Sequence, residues 1–274
     1  MIINKTIDLV QNLLDDKKIP SAQISNAVLG LGYTGVELEF NGDSTEMGVA
    51  YTLPELFKNR SCTKINFAGI LTERTVQELL SWGKNSLSLK RIIGIATLNA
   101  FSQFYIHNNR TQYQFLTKDL FQYVDLNQGT KVTFIGLIKP MIKQMAKFTK
   151  NIVIIEKNLE FSEEFKDFTL KRDINNLDQE DLDTDILICT GTSLINNTLE
   201  HILEVYKTKA KFKCVIGPSA SMIPDILFEE GIDLVGGMKF ENSAKTFKVL
   251  QEAGGTKFFK KYAHKYNIIK QSKY

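Results

Sequence analysis

The stretch that decides the fold is Asp185-Ile186-Leu187-Ile188-Cys189-Thr190-Gly191-Thr192-Ser193-Leu194-Ile195-Asn196-Asn197-Thr198. Its first five residues form a short apolar run with β-branched members, which reads as a buried strand. Leu199 to Tyr206 then has helical spacing. Between the two lies a concentration of small hydroxyl and amide side chains. In an open α/β sheet, the point where a strand hands over to a helix is where ligands bind.

Working outward, the same pattern repeats. Lys131–Ile135, Ile152–Glu156, Phe212–Ile216 and Ile232–Val235 read as further buried strands, with helical segments between most of them. Short apolar strands separated by helices predict a parallel sheet covered on both faces. Residues 157–184 are acidic and irregular, and read as a helix fragment or edge strand with a loop. From Ser243 the pattern predicts a C-terminal helix and a short tail.

Three strand ends then converge on one rim. The first is Gly136-Leu137-Ile138-Lys139-Pro140, with a single glycine where a dinucleotide fingerprint would have three. Glu156 lies 20 positions past Gly136, where a dinucleotide fold places its ribose-binding acid; solubility alone also explains an acid there. The second is the opening stretch, in which Thr190, Gly191, Thr192, Ser193 and Asn196 are candidate ligand contacts. Plain capping competes with that reading, because Asn197 and Glu200 have capping-box spacing. The third is Gly217-Pro218-Ser219-Ala220-Ser221, where Gly217, Pro218 and Ser219 either bind a ligand or cap the next helix. Neither serine has an evident His and acid partner, so the signature of an activated nucleophile is absent.

The first half has a different texture. Residues 4–17 carry Ile7, Val10, Leu13 and Leu14 at helical spacing. Ala27–Phe40 and Met47–Thr52 flank the turn signal Asn41-Gly42-Asp43 and read as a hairpin. Helices follow, one capped by Thr72 and one over Leu89–Tyr105. Gly32, Thr34 and Gly35 either let the backbone approach a ligand or a second domain closely or mark a bent strand, and Thr97 and Asn99, polar residues in the second helix, face either an interdomain cleft or local backbone groups. His107 reads as a surface residue whose charge suits a helix C-terminus. The polar run Asn108–Gln112 is the best linker, which divides the chain into an α+β domain over 1–112 and an α/β domain over 113–274.

Bulk properties set limits. The chain has 274 residues, 43% of them hydrophobic and 24% charged, with a net charge of +3. That charge is too small to argue for nucleic acid or a membrane surface. Lys257, Lys260, Lys261, Lys265 and Lys270 interleave with aromatics, yet a basic amphipathic helix packing its rings inward explains them as well as nucleic acid does. No apolar run reaches the ~20 residues that span a bilayer. Cys62, Cys189 and Cys214 are three, widely spaced, which fits a reducing compartment and predicts a cytoplasmic protein.

The motifs Gly191–Thr198, Gly217-Pro218-Ser219 with Pro224, Phe228 with Gly231, and Gly236-Gly237 resemble a prokaryotic family of unassigned function described as heavy-metal chelation proteins. Gly32–Val36, Gly48–Thr52 and Ala96–Ala100 resemble that family's first domain, and the similarity covers nearly the whole chain. The resemblance implies an enolase N-terminal-like domain followed by a Rossmann-like domain. It also implies a ligand between them, lined by the Thr190–Thr198 and Gly217–Ser221 loops, and a metal ion or metal chelate as that ligand. It implies no established reaction.

The metal has weak support in the residues themselves. Cys189 and Cys214 sit inside apolar runs and read as core cysteines; Cys62 is isolated; His201 reads as helix surface. Glu37, Glu39 and Asp43 offer oxygen ligands for a hard metal, but also read as the polar face of a hairpin. Three readings stand: a cytoplasmic binder of a small anionic ligand or metal chelate, an enzyme using S-adenosylmethionine or a nicotinamide nucleotide, and an assembly partner, including a homo-oligomer.

Overall fold

The computed structural model describes residues 1–42, 44–57, 65–117, 120–158 and 164–271. The expectations on Asp43 and Cys62 lie outside them. The order of elements is α1 (Ile2–Asp15), β1 (Ala22–Leu29), β2 (Tyr33–Phe40), β3 (Ser44–Tyr51), α2 (Val76–Trp82), α3 (Leu89–Asn108) and β4 (Gln114–Phe115). It continues through α4 (Leu120–Tyr123), β5 (Val132–Ile135), α5 (Lys139–Met145), β6 (Ile152–Ile155), β7 (Thr169–Lys171), α6 (Gln179–Leu182) and β8 (Thr184–Thr190). The chain then forms α7 (Thr192–Ile195), α8 (Leu199–Val205), β9 (Ala210–Ile216), α9 (Asp225–Glu229), β10 (Leu234–Phe240), α10 (Ser243–Gln251), α11 (Thr256–Phe259) and β11 (Ala263–Ile269).

Two sheets result. The first is a three-stranded antiparallel sheet in the order β1-β2-β3, and the second has eight strands in the order β4-β11-β10-β9-β8-β5-β6-β7. From β10 to β7 every pairing in the second sheet is parallel, while β11 and β4 run antiparallel at one edge. Counted from β5, the parallel strands lie in the order 3-2-1-4-5-6. That is the order of the doubly wound sheet, and it reverses between β5 and β8.

The first sheet packs on α3, a helix with buried residues on all sides, as an all-round apolar helix requires. β3 approaches it closely at Gly48, where a Cβ would lie 2.2 Å from the Ala100 nitrogen and the Ala96 oxygen. One apolar core runs from α1 and α3 across the sheet face that carries Leu187, Cys189 and Val215. A second core fills the opposite face around Phe134, Ile154, Ile188 and Cys214. The two halves therefore share a core.

Several sequence expectations need correction. Ala27–Leu29 belongs to β1, which turns at Gly30–Gly32 and pairs back on β2, with Ala27 opposite Val36 and Leu29 opposite Thr34. Thr75, not Thr72, caps α2, its hydroxyl accepting from the Glu78 N–H. The C-terminal segment is not one helix. α10 ends at Gln251 before Gly254-Gly255, and Ala263–Ile269 is a strand whose Ile268 and Ile269 are buried. His107 is half-buried, its Nδ1 bonded to the Gln103 carbonyl at 2.8 Å and its ring against Tyr266 and Phe115. Burial lowers its pKa to about 4, so it does not supply a charge to the helix end.

Candidate functional site

A cleft of about 650 Å³ opens where the strand order reverses. Its floor is the carboxyl ends of four neighbouring strands: Gly136–Ile138 after β5, Glu156–Asn158 after β6, Arg172–Asn175 after β7, and Thr190, Thr192, Ser193 and Asn196 after β8. Tyr51, Leu53, Pro54 and Glu55 from the first half close it from above, with Thr198 and His201 at one side.

The opening stretch orders itself. The Ser193 hydroxyl donates to the Thr190 carbonyl at 2.7 Å, and the Thr190 hydroxyl lies 3.4 Å from that of Thr192. The Asn196 Oδ1 accepts from the Thr198 hydroxyl and N–H at 2.7 and 3.3 Å. Its Nδ2 has no partner among the described residues, and so offers two donors to the cleft. α7 has only four residues and Gly191 caps it without a side-chain bond, so this turn carries little helix dipole. The capping-box expectation fails, because Asn197 sits at φ +59° and its Oδ1 accepts from Arg91 instead.

Arg91 is the residue that the sequence reading missed. It is fully buried on α3 and forms no ion pair among the described residues, although the charge of Glu200 acts on it. Its Nε donates to the Ile195 carbonyl at 2.9 Å, one Nη to Gly83 and Asn85 at 2.7 and 3.1 Å, and the other to Leu194 at 3.1 Å and to Asn197. These five bonds match the five donors of a guanidinium. They hold the end of α7, and with it the polar loop, against the first half. Burial lowers the Arg91 pKa by taking the cation out of water, and the charge of Glu200 opposes the shift. An arginine inside an otherwise apolar helix was the available signal.

Of the expected site residues, Thr190, Thr192, Ser193, Asn196 and Glu156 line the cleft. Gly191, Gly217, Pro218, Ser219, Thr34 and Asn99 do not. Ser219 is buried, and its hydroxyl accepts from the Tyr51 N–H at 2.9 Å. Asn99 donates to the Val49 and Ser219 carbonyls at 2.8 and 3.2 Å and lies 3.5 Å from that of Pro218. Thr34 bonds Thr52 at 2.9 Å. This second loop joins the halves and stands behind the cleft.

Gly136 has a structural reason. Its φ is +93°, and a Cβ there would meet the Thr190 Cγ2 at 2.6 Å. Beyond it, Glu156 turns back over the same turn. One of its oxygens accepts from the Leu137 N–H at 3.0 Å and the other from the Asn158 N–H at 3.1 Å. Burial raises the pKa of the Tyr51 phenol, and the charges of Glu55 and Glu156 raise it further, which places all three in one neighbourhood. Arg172 and Lys157 line the cleft with no ion-pair partner among the described residues.

The donor set for a bare soft metal does not fit. No group of three or more His, Cys, Asp or Glu side chains able to hold a metal ion occurs among the described residues. Cys189 belongs to one core and Cys214 to the other, so their thiols lie on opposite faces of the sheet. Burial raises both thiol pKa values, which disfavours the thiolate that ligation needs.

Fold and site together define a mixed α/β protein with a parallel-rich sheet and a cleft at its order reversal. Residues 119–269 match the family model DUF364, described as "Putative heavy-metal chelation", and residues 12–102 match DUF4213, which has the same description. The chain belongs to the DUF364 family. An uncharacterized protein of Methanocaldococcus jannaschii is 26% identical over 280 residues, covering 98% of each chain. A DUF364 protein of unknown function from Pyrococcus horikoshii has the same fold, with a TM-score of 0.78 at 23% identity over 98% of this chain and 100% of its own. Another, from Desulfitobacterium hafniense, has a TM-score of 0.71 at 18% identity over 97% and 99%. No helix among the described residues is long and apolar enough to cross a membrane.

Proposed function

We propose that this chain is a cytoplasmic binding protein whose two domains, 1–112 and 113–274, hold a small anionic ligand or a metal chelate in the cleft between them. The observation that carries the reading is the cleft itself: about 650 Å³, set at the reversal of strand order, with Thr192, Ser193 and the Asn196 Nδ2, unpartnered among the described residues, on its floor. Arg172 and Lys157 supply positive charge on the same floor. The family description points to a metal. The lack of a donor cluster among the described residues favours a metal that arrives with its own organic ligands, leaving the protein to recognise the chelate.

Native mass spectrometry with elemental analysis of freshly purified protein tests this. The expected result is a bound small molecule, with or without metal, that is lost from Asn196→Ala and Thr192→Val. A ligand retained in full by both variants refutes the site. A second reading, an enzyme using a nucleoside cofactor, is favoured by one observation: the strand order with Glu156 at the end of β6, the position of a ribose-binding acid.

A further inference from the structure

The turn between β5 and α5 is where a doubly wound sheet holds the pyrophosphate of a dinucleotide on free backbone amides. Here every amide of that turn is already used. Gly136 N–H donates to the Ile155 carbonyl at 2.9 Å, Leu137 to the Glu156 carboxylate at 3.0 Å, and Ile138 to Gly136 at 3.0 Å. Lys139 donates to Leu137 at 3.0 Å, Pro140 has no N–H, and Met141 donates to Ile138 at 2.9 Å. A phosphate would find no free backbone donor in this turn. It would also meet the Glu156 carboxylate, which already occupies the anion's place over the turn.

The same carboxylate keeps capacity for a different group. Its two oxygens each accept one backbone N–H, from Leu137 and Asn158, and a carboxylate accepts about four hydrogen bonds. Two hydroxyls of a vicinal diol match what remains, and Leu53, Ile155 and Ile174 offer an apolar wall in the same cleft. We propose that the cleft takes a phosphate-free nucleoside, its ribose diol on Glu156, and excludes dinucleotides. This inference rests on the second reading above, a nucleoside with its ribose at Glu156, and names which nucleosides enter.

Calorimetric titration of the full chain with S-adenosylhomocysteine, adenosine, 2′-deoxyadenosine and NAD+ tests it. S-adenosylhomocysteine and adenosine should saturate the protein, and 2′-deoxyadenosine should bind about tenfold to a hundredfold more weakly, the value of a hydrogen bond to a charged group. NAD+ should bind more weakly than adenosine. Glu156→Gln, which keeps an acceptor for Leu137, should weaken adenosine but leave the melting temperature of the free protein near that of the parent. NAD+ binding as tightly as adenosine, indifference to the 2′-hydroxyl, or no saturation by any nucleoside each overturns the proposal. The last outcome leaves the cleft reading standing if Asn196→Ala still strips the co-purified ligand.

Discussion

Replacing Arg91 with methionine tests whether a guanidinium fastens the candidate site to the first half of the chain. Methionine keeps much of the buried stem and removes all five donors. The carbonyls of Gly83, Asn85, Leu194 and Ile195 and the Asn197 Oδ1 lose their partners together. Each buried acceptor left alone costs about 1–3 kcal/mol, but neighbours in one network do not add. Removing the buried cation offsets part of the loss, because its desolvation disappears with it. The net expectation is a destabilisation of about 3–5 kcal/mol, the scale of breaking a buried charge network. Arg91→Lys keeps the charge, but one ammonium cannot reach five acceptors in a fork, so a loss of about 2–3 kcal/mol is expected. Urea denaturation followed by tryptophan fluorescence reads both, since Trp82 ends α2 next to Gly83. A parent-like midpoint for Arg91→Met, or a lysine variant equal to the parent, refutes the argument. Asn197 should also leave its left-handed conformation in the methionine variant, visible as a shifted amide resonance.

Two further outcomes follow from single residues. His107 has a folded-state pKa of about 4, below its ordinary value of 6.5. The unfolded chain therefore binds the proton first, and the stability due to neutral His107 is complete above pH 6.5 and lost as the pH falls toward 4. His107→Asn should remove about 2 kcal/mol of the pH dependence of the unfolding free energy over that window, and a profile equal to the parent's refutes it. Gly136→Ala should cost about 2–4 kcal/mol through its positive φ and the contact with Thr190, measured by the same denaturation. Thr190→Ser in that background removes the clashing methyl and should recover part of the loss; no recovery would assign the cost to backbone strain alone.

What the chain declares about itself depends on how local each cause is. The run Asp185–Cys189 needed only its own apolar residues to read as a strand, and β8 lies there. The polar stretch after it lines the cleft because strand ends in such a sheet share one rim. The capping role of Asn197 was misread because its partner, Arg91, is 106 residues away. Gly217–Ser219 carried the same local signature as the β8 turn, but β3 and α3 cover it and turn its polar groups into a joint. Tyr266 within a lysine-rich segment fits helical and strand periods alike, and only pairing with β10 decides. Tyr51 read as part of the hairpin and Leu53 to Glu55 carried no reading, since nothing near them in sequence marks the cleft they close.

The thiols and Glu156 bear on the same question from opposite sides. A protein that grips a bare heavy metal needs thiolates or imidazoles converging on one point. Here the two described cysteines are separated by the thickness of the sheet and kept protonated by burial. The groups that do converge are mostly oxygens, an amide and two cations: Glu55 and Glu156 near Tyr51, Asn196, the hydroxyls of Thr192 and Ser193, and Arg172 and Lys157, with His201 the one imidazole. Such a set suits the hydrogen-bonding outline of an organic molecule better than a bare soft ion. If a metal enters this cleft, its affinity must come mainly from the chelator, and selectivity among metals should then follow the chelator's chemistry with little contribution from the protein.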